Sequence, residues 1–472
     1  MKRRTGLFII LSSLLFCVLG GQASAEETEN LKGESIYYIT VDRFMNGDSS
    51  NDGNLETDSP DGYHGGDIQG IIERLEHVKD LGFTTIWLSP LMQSSDFEGY
   101  QVEEYRSVDE HFGTMEEVRT LVEEAHAIDM KVVMDMPVTS VSAEHPWVES
   151  GWTEEPGDGT ASVNTEDSEV QEEVSDILSY WSEEAGIDGF GFPDVEEAEQ
   201  EFWTKVTSDP ESGITIGKGE DESYLDGGFD IWYDEGYQKT ISEVFASTGE
   251  VESLKDPEAE VSASAVDFRD TKRFTTMAEA NGFNPITRWK LALTQLYADQ
   301  DVPVVMYGTS IPMGEKPGIG NLPMMNFGGT DEEVTQRIEK LNSMRSEFPS
   351  LIQGEKQELY KEDGMAIYQV DGDQTMIMAI NNSEETKTAN IASLEDDKQL
   401  RGLMHDGLLR QSEDGDYPIV LERETADVFV VEDNAGLNWA FIGFVGGILS
   451  LFVIFVVVVT WKNRRNEKTN TD

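Results

Sequence analysis

The sequence contains almost no cysteine and comparatively few basic residues. Cys17 is the only cysteine among 472 residues, so a disulfide framework is excluded as a source of stability. Lys and Arg number 34 against 93 Asp and Glu, which gives a formal charge of −59 at pH 7. A surface this negative repels phosphate backbones, so nucleic acid is excluded as a partner. The charge is typical of a surface solvated in salty or alkaline surroundings.

The chain nevertheless has enough apolar residues to fold. Hydrophobic residues make up 38% of the sequence, which excludes a disordered acidic tail. At ~150 residues per domain, the length predicts two or three domains. A chain of this size buries a core without disulfides or metal ions as staples.

Both ends of the chain carry apolar runs. Basic residues at 2–4, an apolar run at 7–19 and the small residues Ala23 to Ala25 predict a signal peptide over 1–25. Residues 437–460 carry no charge, and ~20 such residues cross a hydrocarbon core of ~30 Å. Trp439 and Trp461 stand at the edges of this run, and a basic tail, 462–472, follows.

These ends predict a single-pass protein of the cell membrane. The transmembrane helix would cover 437–461, the tail would be cytoplasmic, and the bulk of the chain would be extracellular. The alternative for 437–461 is a buried core helix. Gly443, Gly446 and Gly447 offer a close-packing face for a membrane protein partner.

Strand and helix patterns alternate from Ser35 to about Phe348. A capping box, Thr114 to Glu117, opens one of the helices, and the apolar spacing of 67–81 predicts another. Eight strand–helix units in ~310 residues predict a parallel barrel over 26–349. Short alternating strands separated by turns predict an all-β module over 350–433. The predicted barrel strands are Ser35–Arg43, Phe83–Leu88, Lys131–Met136, Gly189–Phe192, Ile214–Gly217, Phe229–Trp232, Ser264–Phe268 and Val302–Tyr307.

The predicted strand ends carry an ordered set of motifs. They include GYHGGDIQG, EEYRSVDEHFG, KVVMDM, GIDGFGFPDVEEA, DTKRFTT and VPVVMYGTS. Together these segments closely resemble the α-amylase family, glycoside hydrolase family 13. The resemblance implies an α/β fold with a (β/α)8 TIM barrel, a short inserted domain after strand three (about 137–163), and a C-terminal antiparallel β-sandwich. It also implies an α-glucan or another carbohydrate as the ligand.

The resemblance implies three essential carboxylates, and two of their positions are altered. Pro193 stands at the nucleophile position and Lys218 at the acid/base position, while Asp270 retains the stabiliser position. A lysine would donate a proton only with a lowered pKa, and we expect the surrounding acids to raise it instead. Asp194 and Glu220 are the neighbouring acids that would have to substitute, so we expect little or no ordinary hydrolysis.

Several substrate-binding positions are altered as well. Gly191 stands where the family has an arginine, and Glu98 replaces a histidine. Phe268 and Arg269 replace an Asn-His pair. The residues expected to bind substrate are Tyr63, Phe97, Asp135 and Arg269. The alternative role for Asp135 and Asp270 is that of solvated or salt-bridged acids at strand ends.

One loop retains the pattern of a family calcium site. Six spaced oxygens are the coordination that Ca²⁺ prefers, and the loop offers five side-chain oxygens and one backbone carbonyl. The alternative is a polar turn with a helix N-cap at Asp67. The predicted ligands are Asn46, Asp48, Asn51, Asp52, Gly65 and Asp67.

Two functional hypotheses follow from these observations. The first is a membrane-anchored pseudoenzyme that binds glucans or a protein partner without cleaving glucans; the family includes a non-hydrolytic subunit that pairs with a membrane transporter. The second is an active α-glucan hydrolase that uses Asp270 with Asp194 or Glu220. A degenerate catalytic triad favours the first hypothesis.

Overall fold

The computed structural model describes residues 30–434, apart from 158, 252 and 330, and a C-terminal helix, Trp439–Thr469. Within that helix, the side chains of residues 443–461 are described. The predicted signal peptide, including Cys17, lies outside the described residues.

Eight parallel strands close into a barrel, which confirms the predicted (β/α)8 architecture. Each strand pairs with its neighbours in chain order, and the last strand, β8, pairs with the first, β1. Every residue of β1, β2, β4 and β8 is buried, as expected of parallel strands that are covered on both faces. The strands are β1 (Ile36–Ile39), β2 (Thr85–Leu88), β3 (Lys131–Asp135), β4 (Gly189–Phe192), β5 (Ile214–Gly219), β6 (Ile231–Asp234), β7 (Ser262–Ser264) and β8 (Val302–Met306).

Helices follow the strands and turn their apolar faces towards the barrel. Thr114 and Glu117 form both hydrogen bonds of the predicted capping box, so this helix start is confirmed. The α-helices are α1 (Ile68–Ile72), α2 (Leu75–Asp80), α3 (Met115–Ala127), α4 (Pro146–Ser150), α5 (Ser168–Ala185), α6 (Gln200–Thr207), α7 (Glu235–Phe245), α8 (Phe274–Ala280), α9 (Pro285–Asp299), α10 (Glu332–Glu347), α11 (Ser350–Gln353) and α12 (Trp439–Thr469).

Two element predictions were wrong in detail. The single helix predicted over 67–81 is broken into α1 and α2, because Arg74 leaves helical geometry with a ψ of 4°. The Arg74 guanidinium lies over the ring of Phe327, 4.4 Å from its centroid. The seventh strand was predicted as Ser264–Phe268, but β7 spans Ser262–Ser264. Residues 265–270 therefore belong to the loop at the carboxyl end of β7.

Two small β-hairpins follow the carboxyl ends of barrel strands. One pairs Met92–Ser94 with Val102–Val108, after β2. The other pairs Ser140–Ser142 with Thr160–Ser162, after β3, and carries α4 between its strands. This second hairpin is the insertion after strand three.

The C-terminal domain is antiparallel and consists of two sheets, as predicted. A six-stranded sheet has the order β9-β10-β11-β16-β13-β14, and a second sheet pairs β12 with β15. Helix α9 of the barrel packs against β11 and β16. The strands are β9 (Glu355–Glu362), β10 (Met365–Asp371), β11 (Met376–Asn381), β12 (Lys387–Ile391), β13 (Lys398–Gly402), β14 (Leu408–Arg410), β15 (Tyr417–Leu421) and β16 (Thr425–Asp433).

Helix α12 contains one segment that is long and apolar enough to cross a membrane. This segment is Gly443–Trp461, 19 residues, and none of it is buried against the rest of the protein. Its length and composition alone identify it as a candidate membrane span.

Candidate active-site cleft

The charged side chains of the cleft lie at the carboxyl ends of the barrel strands. Asp135 ends β3, Lys218 lies near the end of β5, and Glu235 directly follows β6. Asp270 lies in the loop after β7. The carboxyl ends of parallel barrel strands meet at one face, which is where barrel enzymes place their active sites.

Lys218 joins two carboxylates in the cleft. Its Nζ donates to Asp270 Oδ2 at 2.7 Å and to Glu235 Oε1 at 2.5 Å. The Lys218 side chain is 5% exposed, whereas those of Glu235 and Asp270 are 30% and 36% exposed. Because both oxygens contact one nitrogen, they lie no more than about 5 Å apart. The ammonium therefore occupies the space between the two carboxylates.

The charges in this cluster hold Lys218 protonated and Asp270 ionised. Burial alone would lower the pKa of Lys218, but Asp270 and Glu235 raise it above its usual value. Burial would raise the pKa of Asp270, but Lys218 and Arg269 lower it. The predicted direction of the lysine pKa is confirmed, so Lys218 is a poor proton donor at neutral pH.

Pro193, the residue expected at the nucleophile position, carries no reactive side chain. Pro193 is buried at the end of β4. Strand β4 pairs with β5 in unbroken register through Phe192, so no bulge in that ladder re-aims the next residues. Asp194 is exposed and adopts a left-handed conformation with a φ of 57°. Glu220 is also exposed, and its backbone N–H donates to Glu196 Oε1 at 2.8 Å.

Trp87 occupies the space beside Gly191. A Cβ atom on Gly191 would lie 2.5 Å from Asp135 Oδ1 and 2.6 Å from Trp87 Nε1. The indole N–H of Trp87 donates to Asp135 Oδ1 at 2.8 Å. The position where the family has an arginine therefore has no room for a side chain while Trp87 is present.

Asp135 is held by three donors and is almost completely buried. Besides Trp87, the hydroxyl groups of Tyr38, at 3.3 Å, and of Tyr100 lie against Asp135 Oδ2. Asp135 is 2% exposed. Burial raises its pKa to about 6, although the hydrogen bonds from Tyr100 and Trp87 and the charge of Arg269 oppose that shift. Asp135 therefore ionises near neutral pH and offers little surface to a ligand.

Phe268 fills the mouth of the barrel. Its ring centroid lies 4.3 Å from that of Tyr38, 4.9 Å from Tyr233 and 5.6 Å from Trp87. Phe268 is 1% exposed. The neighbouring Arg269 lies 3.7 Å above the Tyr100 ring and 3.5 Å from Glu98 Oε2. Phe268 therefore forms an aromatic plug at the mouth of the barrel. Arg269 forms an ion pair with Glu98 beside it.

The two predicted stacking rings are already partly covered. Tyr63 stacks on His111 with centroids 3.8 Å apart, and its hydroxyl donates to the Asp96 carbonyl at 3.0 Å. Phe97 is 7% exposed, with the Arg43 guanidinium 3.7 Å from its centroid. Phe97 thus leaves little of its ring for a sugar, while Tyr63 keeps a partly exposed surface.

The predicted calcium loop is compact, but its acids do not all converge. Asn46 Nδ2 donates to Asp52 Oδ1 at 2.6 Å, and Asn51 Nδ2 lies 3.4 Å from Asp67 Oδ2. Asn51 Oδ1 is buried without a hydrogen-bond partner. Asp67 caps α1 by accepting from Gly70 N–H at 2.7 Å. The described residues contain no cluster of three or more His, Cys, Asp or Glu suited to a metal.

Calcium in this loop stays a prediction, and the buried Asn51 Oδ1 without a hydrogen-bond partner is the observation that favours it. The unpaired side-chain oxygen of Asn51 and the side-chain oxygens of Asn46 and Asp52 are the oxygens that would coordinate the ion. Both carboxylate oxygens of Asp48 accept from Ser50, so that side chain would have to turn to bind an ion. The polar-turn alternative is also realised at Asp67, since its carboxylate acts as an N-cap.

Sequence reasoning missed three residues that shape the cleft. Glu235 was not singled out, although an acid directly after a barrel strand is a signal for the site. Trp87 was assigned only to a buried strand, and Tyr233 lay one residue beyond the predicted strand Phe229–Trp232. Their roles depend on side chains that meet across the barrel, which strand periodicity does not reveal.

Comparisons with known proteins identify the two domains. Residues 38–158 match the α-amylase catalytic domain, and residues 354–429 match the α-amylase C-terminal domain. The β/α-amylase of Paenibacillus polymyxa is 28% identical over 421 residues, which cover 77% of this chain. The chain spans only 34% of that relative's length.

Solved structures agree over the length of the fold. An Anoxybacillus α-amylase superposes with a TM-score of 0.81 and 34% identity, covering 86% of this chain and 99% of that one. The Geobacillus thermoleovorans α-amylase, solved in complex with acarbose, gives a TM-score of 0.79 with 31% identity and the same coverage of both chains. With both domains, the barrel topology and this identity in agreement, the chain belongs to the α-amylase family, glycoside hydrolase family 13.

Proposed function

We propose that this chain is a membrane-anchored α-amylase-family protein that binds α-glucans without ordinary hydrolysis. The observation that carries the proposal is Lys218, whose ammonium contacts both Asp270 and Glu235. A retaining mechanism needs one carboxylate to attack the sugar and another acid to protonate the leaving oxygen. Here proline stands at the first position, and a firmly protonated lysine stands at the second.

The surrounding side chains support the same conclusion. Phe268, Trp87 and Tyr38 pack together at the centre of the barrel mouth, where the reacting sugar would sit. A hydrolase that used Asp194 or Glu220 instead would have to bring an exposed side chain towards Asp270. That alternative remains the competing function.

Binding of a glucan is supported by the outer part of the cleft and by the relatives. Carboxylates of Glu98, Glu235 and Asp270 are each about a third exposed, at 28%, 30% and 36%. Carboxylates readily accept hydrogen bonds from sugar hydroxyls. A relative with 31% identity was solved in complex with acarbose.

The anchoring part of the proposal comes from Gly443–Trp461. Nineteen apolar residues are enough to cross a bilayer core. The basic residues Lys462, Arg464 and Arg465 directly follow, which favours a cytoplasmic tail and an extracellular barrel. A membrane protein partner that contacts this helix is the further possibility raised by its glycines.

Calcium is proposed as a structural ion in the loop between Asn46 and Asp67. The unsatisfied Asn51 Oδ1, together with oxygens of Asn46 and Asp52, would hold it. A bound Ca²⁺ would neutralise clustered oxygens and fix this loop beside the barrel.

Titration of the full-length protein in detergent micelles with maltotriose tests binding. We expect measurable heat, and weaker binding of the Asp270→Asn variant because Asp270 is the most exposed of the three cleft carboxylates. Asp373→Asn, an exposed acid in a turn of the C-terminal domain, is the matched control and should bind like the wild type. Absence of binding together with absence of turnover would instead favour a protein partner.

A further inference from the structure

One groove of the C-terminal domain exposes apolar side chains on an otherwise strongly acidic molecule. The groove has a volume of about 530 Å³ and lies between β14 and β15. Leu408 is 50% exposed and Val420 is 53% exposed. Among the described residues outside α12, these are the only large hydrophobic side chains that are exposed. Concentrated apolar exposure of this kind marks interaction sites.

The walls of the groove are strands from two different sheets. Strand β14 is the edge of the six-stranded sheet, and β15 belongs to the two-stranded sheet. Because the two sheets are not hydrogen-bonded to each other here, they leave an opening with apolar sides. The apolar lining comprises Leu408, Leu409, Pro418, Val420, Leu421 and Phe429.

The charge of the lining is negative. Glu422 and Asp427 line the groove, and no Lys or Arg is among the lining residues. Glu422 is exposed, whereas Asp427 is 5% exposed and accepts from the backbone N–H groups of Met404, at 3.0 Å, and Val428, at 2.8 Å. An occupant with positive charge beside an apolar side chain would therefore complement both features of the groove.

We propose that this groove docks a basic segment of a protein partner, which inserts an apolar side chain between Leu408 and Val420. Anionic lipid headgroups would be repelled by Glu422 and by the net charge of −59. The same charge disfavours a second copy of this chain as the occupant. Docking here is independent of the barrel cleft, because every lining residue belongs to the C-terminal domain.

The test uses the full-length protein in detergent micelles and a fluorescein-labelled heptapeptide of alternating lysine and valine. We expect saturable binding that weakens with added salt, because it depends on the exposed carboxylate of Glu422. Val420→Asp and Leu408→Asp should each weaken binding at least about tenfold, as expected for apolar anchor sites. Gln357→Asp introduces the same charge at an exposed position on β9, the opposite edge of the sheet, and should leave the affinity unchanged.

Four results would overturn the proposal. One is failure of the lysine–valine peptide to bind the wild type. Another is equal affinity for Val420→Asp and the wild type, which would place binding elsewhere or in the micelle. The third is a concentration-dependent dimer, seen by analytical ultracentrifugation, that Val420→Asp abolishes; it would assign the groove to a second copy. Binding of a glutamate–valine peptide with the same affinity would contradict the charge argument in the same way.

Discussion

Lys218 links the charged groups of the cleft and stabilises them. Its ammonium satisfies two carboxylates that would otherwise repel each other across a few ångströms. The family's glutamate at this position would add a third negative charge beside Glu235 and Asp270. Lys218 therefore balances the charge of the two neighbouring carboxylates.

Replacing Lys218 by methionine should destabilise the protein at neutral pH. We expect a loss of about 1–2 kcal/mol, less than for a fully buried pair, because Glu235 and Asp270 both reach water. Lys218 lowers the pKa of Asp270, so its stabilising effect is full above the ordinary carboxyl pKa and is lost as pH falls through the lowered pKa of folded Asp270. Urea denaturation of the variant at several pH values measures this, and a loss that stays constant down to pH 3 would contradict it.

Asp135 should give the opposite pH dependence. Burial raises its pKa from 3.8 to about 6 in the folded protein. Its contribution to stability is therefore full below the unfolded pKa and is lost as pH rises through about 6. Asp135→Asn removes this ionisation, so the free energy of unfolding of the variant minus that of the wild type should increase by about 3 kcal/mol between pH 4 and pH 7.

Chemical denaturation at both pH values measures that difference for Asp135→Asn. Asp373→Asn is the control, since it makes the same substitution at an exposed position of the C-terminal domain. A difference for Asp135→Asn that does not change with pH would show that folding does not raise the pKa of Asp135.

At the scale of the element, the ends of β2, β3 and β4 form one packed layer. Trp87, Asp135 and Gly191 come from these three strands and touch one another. Gly191→Ala should therefore cost about 1–3 kcal/mol through overpacking. Gly157→Ala, whose added Cβ would meet nothing closer than 3.9 Å, should change the unfolding free energy by about 0.5 kcal/mol or less. Equal stability of the two variants would contradict this packing.

Because of this same layer, we expect that restoring two acids does not restore hydrolysis. Pro193→Asp together with Lys218→Glu recovers the family's residues at two positions, but Gly191 and Phe268 keep the local packing. In this double variant, Trp87 still occupies the space beside Asp135, and the Phe268 ring still fills the mouth of the barrel.

The loop between Asn46 and Asp67 carries the prediction for calcium. After dialysis against EDTA, added Ca²⁺ should raise the melting temperature by about 2–5 °C, because binding to the folded state alone stabilises it. Mg²⁺ should act weakly, since it gives up its hydration shell reluctantly. Asp52→Asn should reduce the Ca²⁺ shift, whereas Asp373→Asn should retain it. A melting temperature that does not change when Ca²⁺ is added would contradict a calcium site in this loop.

Elements were predicted from sequence more reliably than their contacts. All eight barrel strands lie within or beside their predicted segments, since buried parallel strands read as apolar runs. The helix predicted over 67–81 failed at Arg74, whose side chain packs on Phe327, a residue some 250 positions away. Such a contact has no local signal.

On the scale of the whole molecule, the sequence identified the positions of the site but not its internal pairing. Motif order placed Pro193, Lys218 and Asp270 at their strand ends. The contact of Lys218 with Glu235, which directly follows β6, and the plug around Phe268 arise where strands meet around the barrel. Those contacts depend on closure of the sheet, and residue spacing alone does not encode it.

The most direct test of the account is the release of reducing ends from starch by the full-length protein. We expect no release above that of buffer from the wild type, because Lys218 and Pro193 occupy the two positions at which hydrolysis requires an acid. Asp270→Asn should give the same baseline. Release by the wild type that disappears in Asp270→Asn would show a working catalytic carboxylate and would contradict a barrel that binds without cleaving.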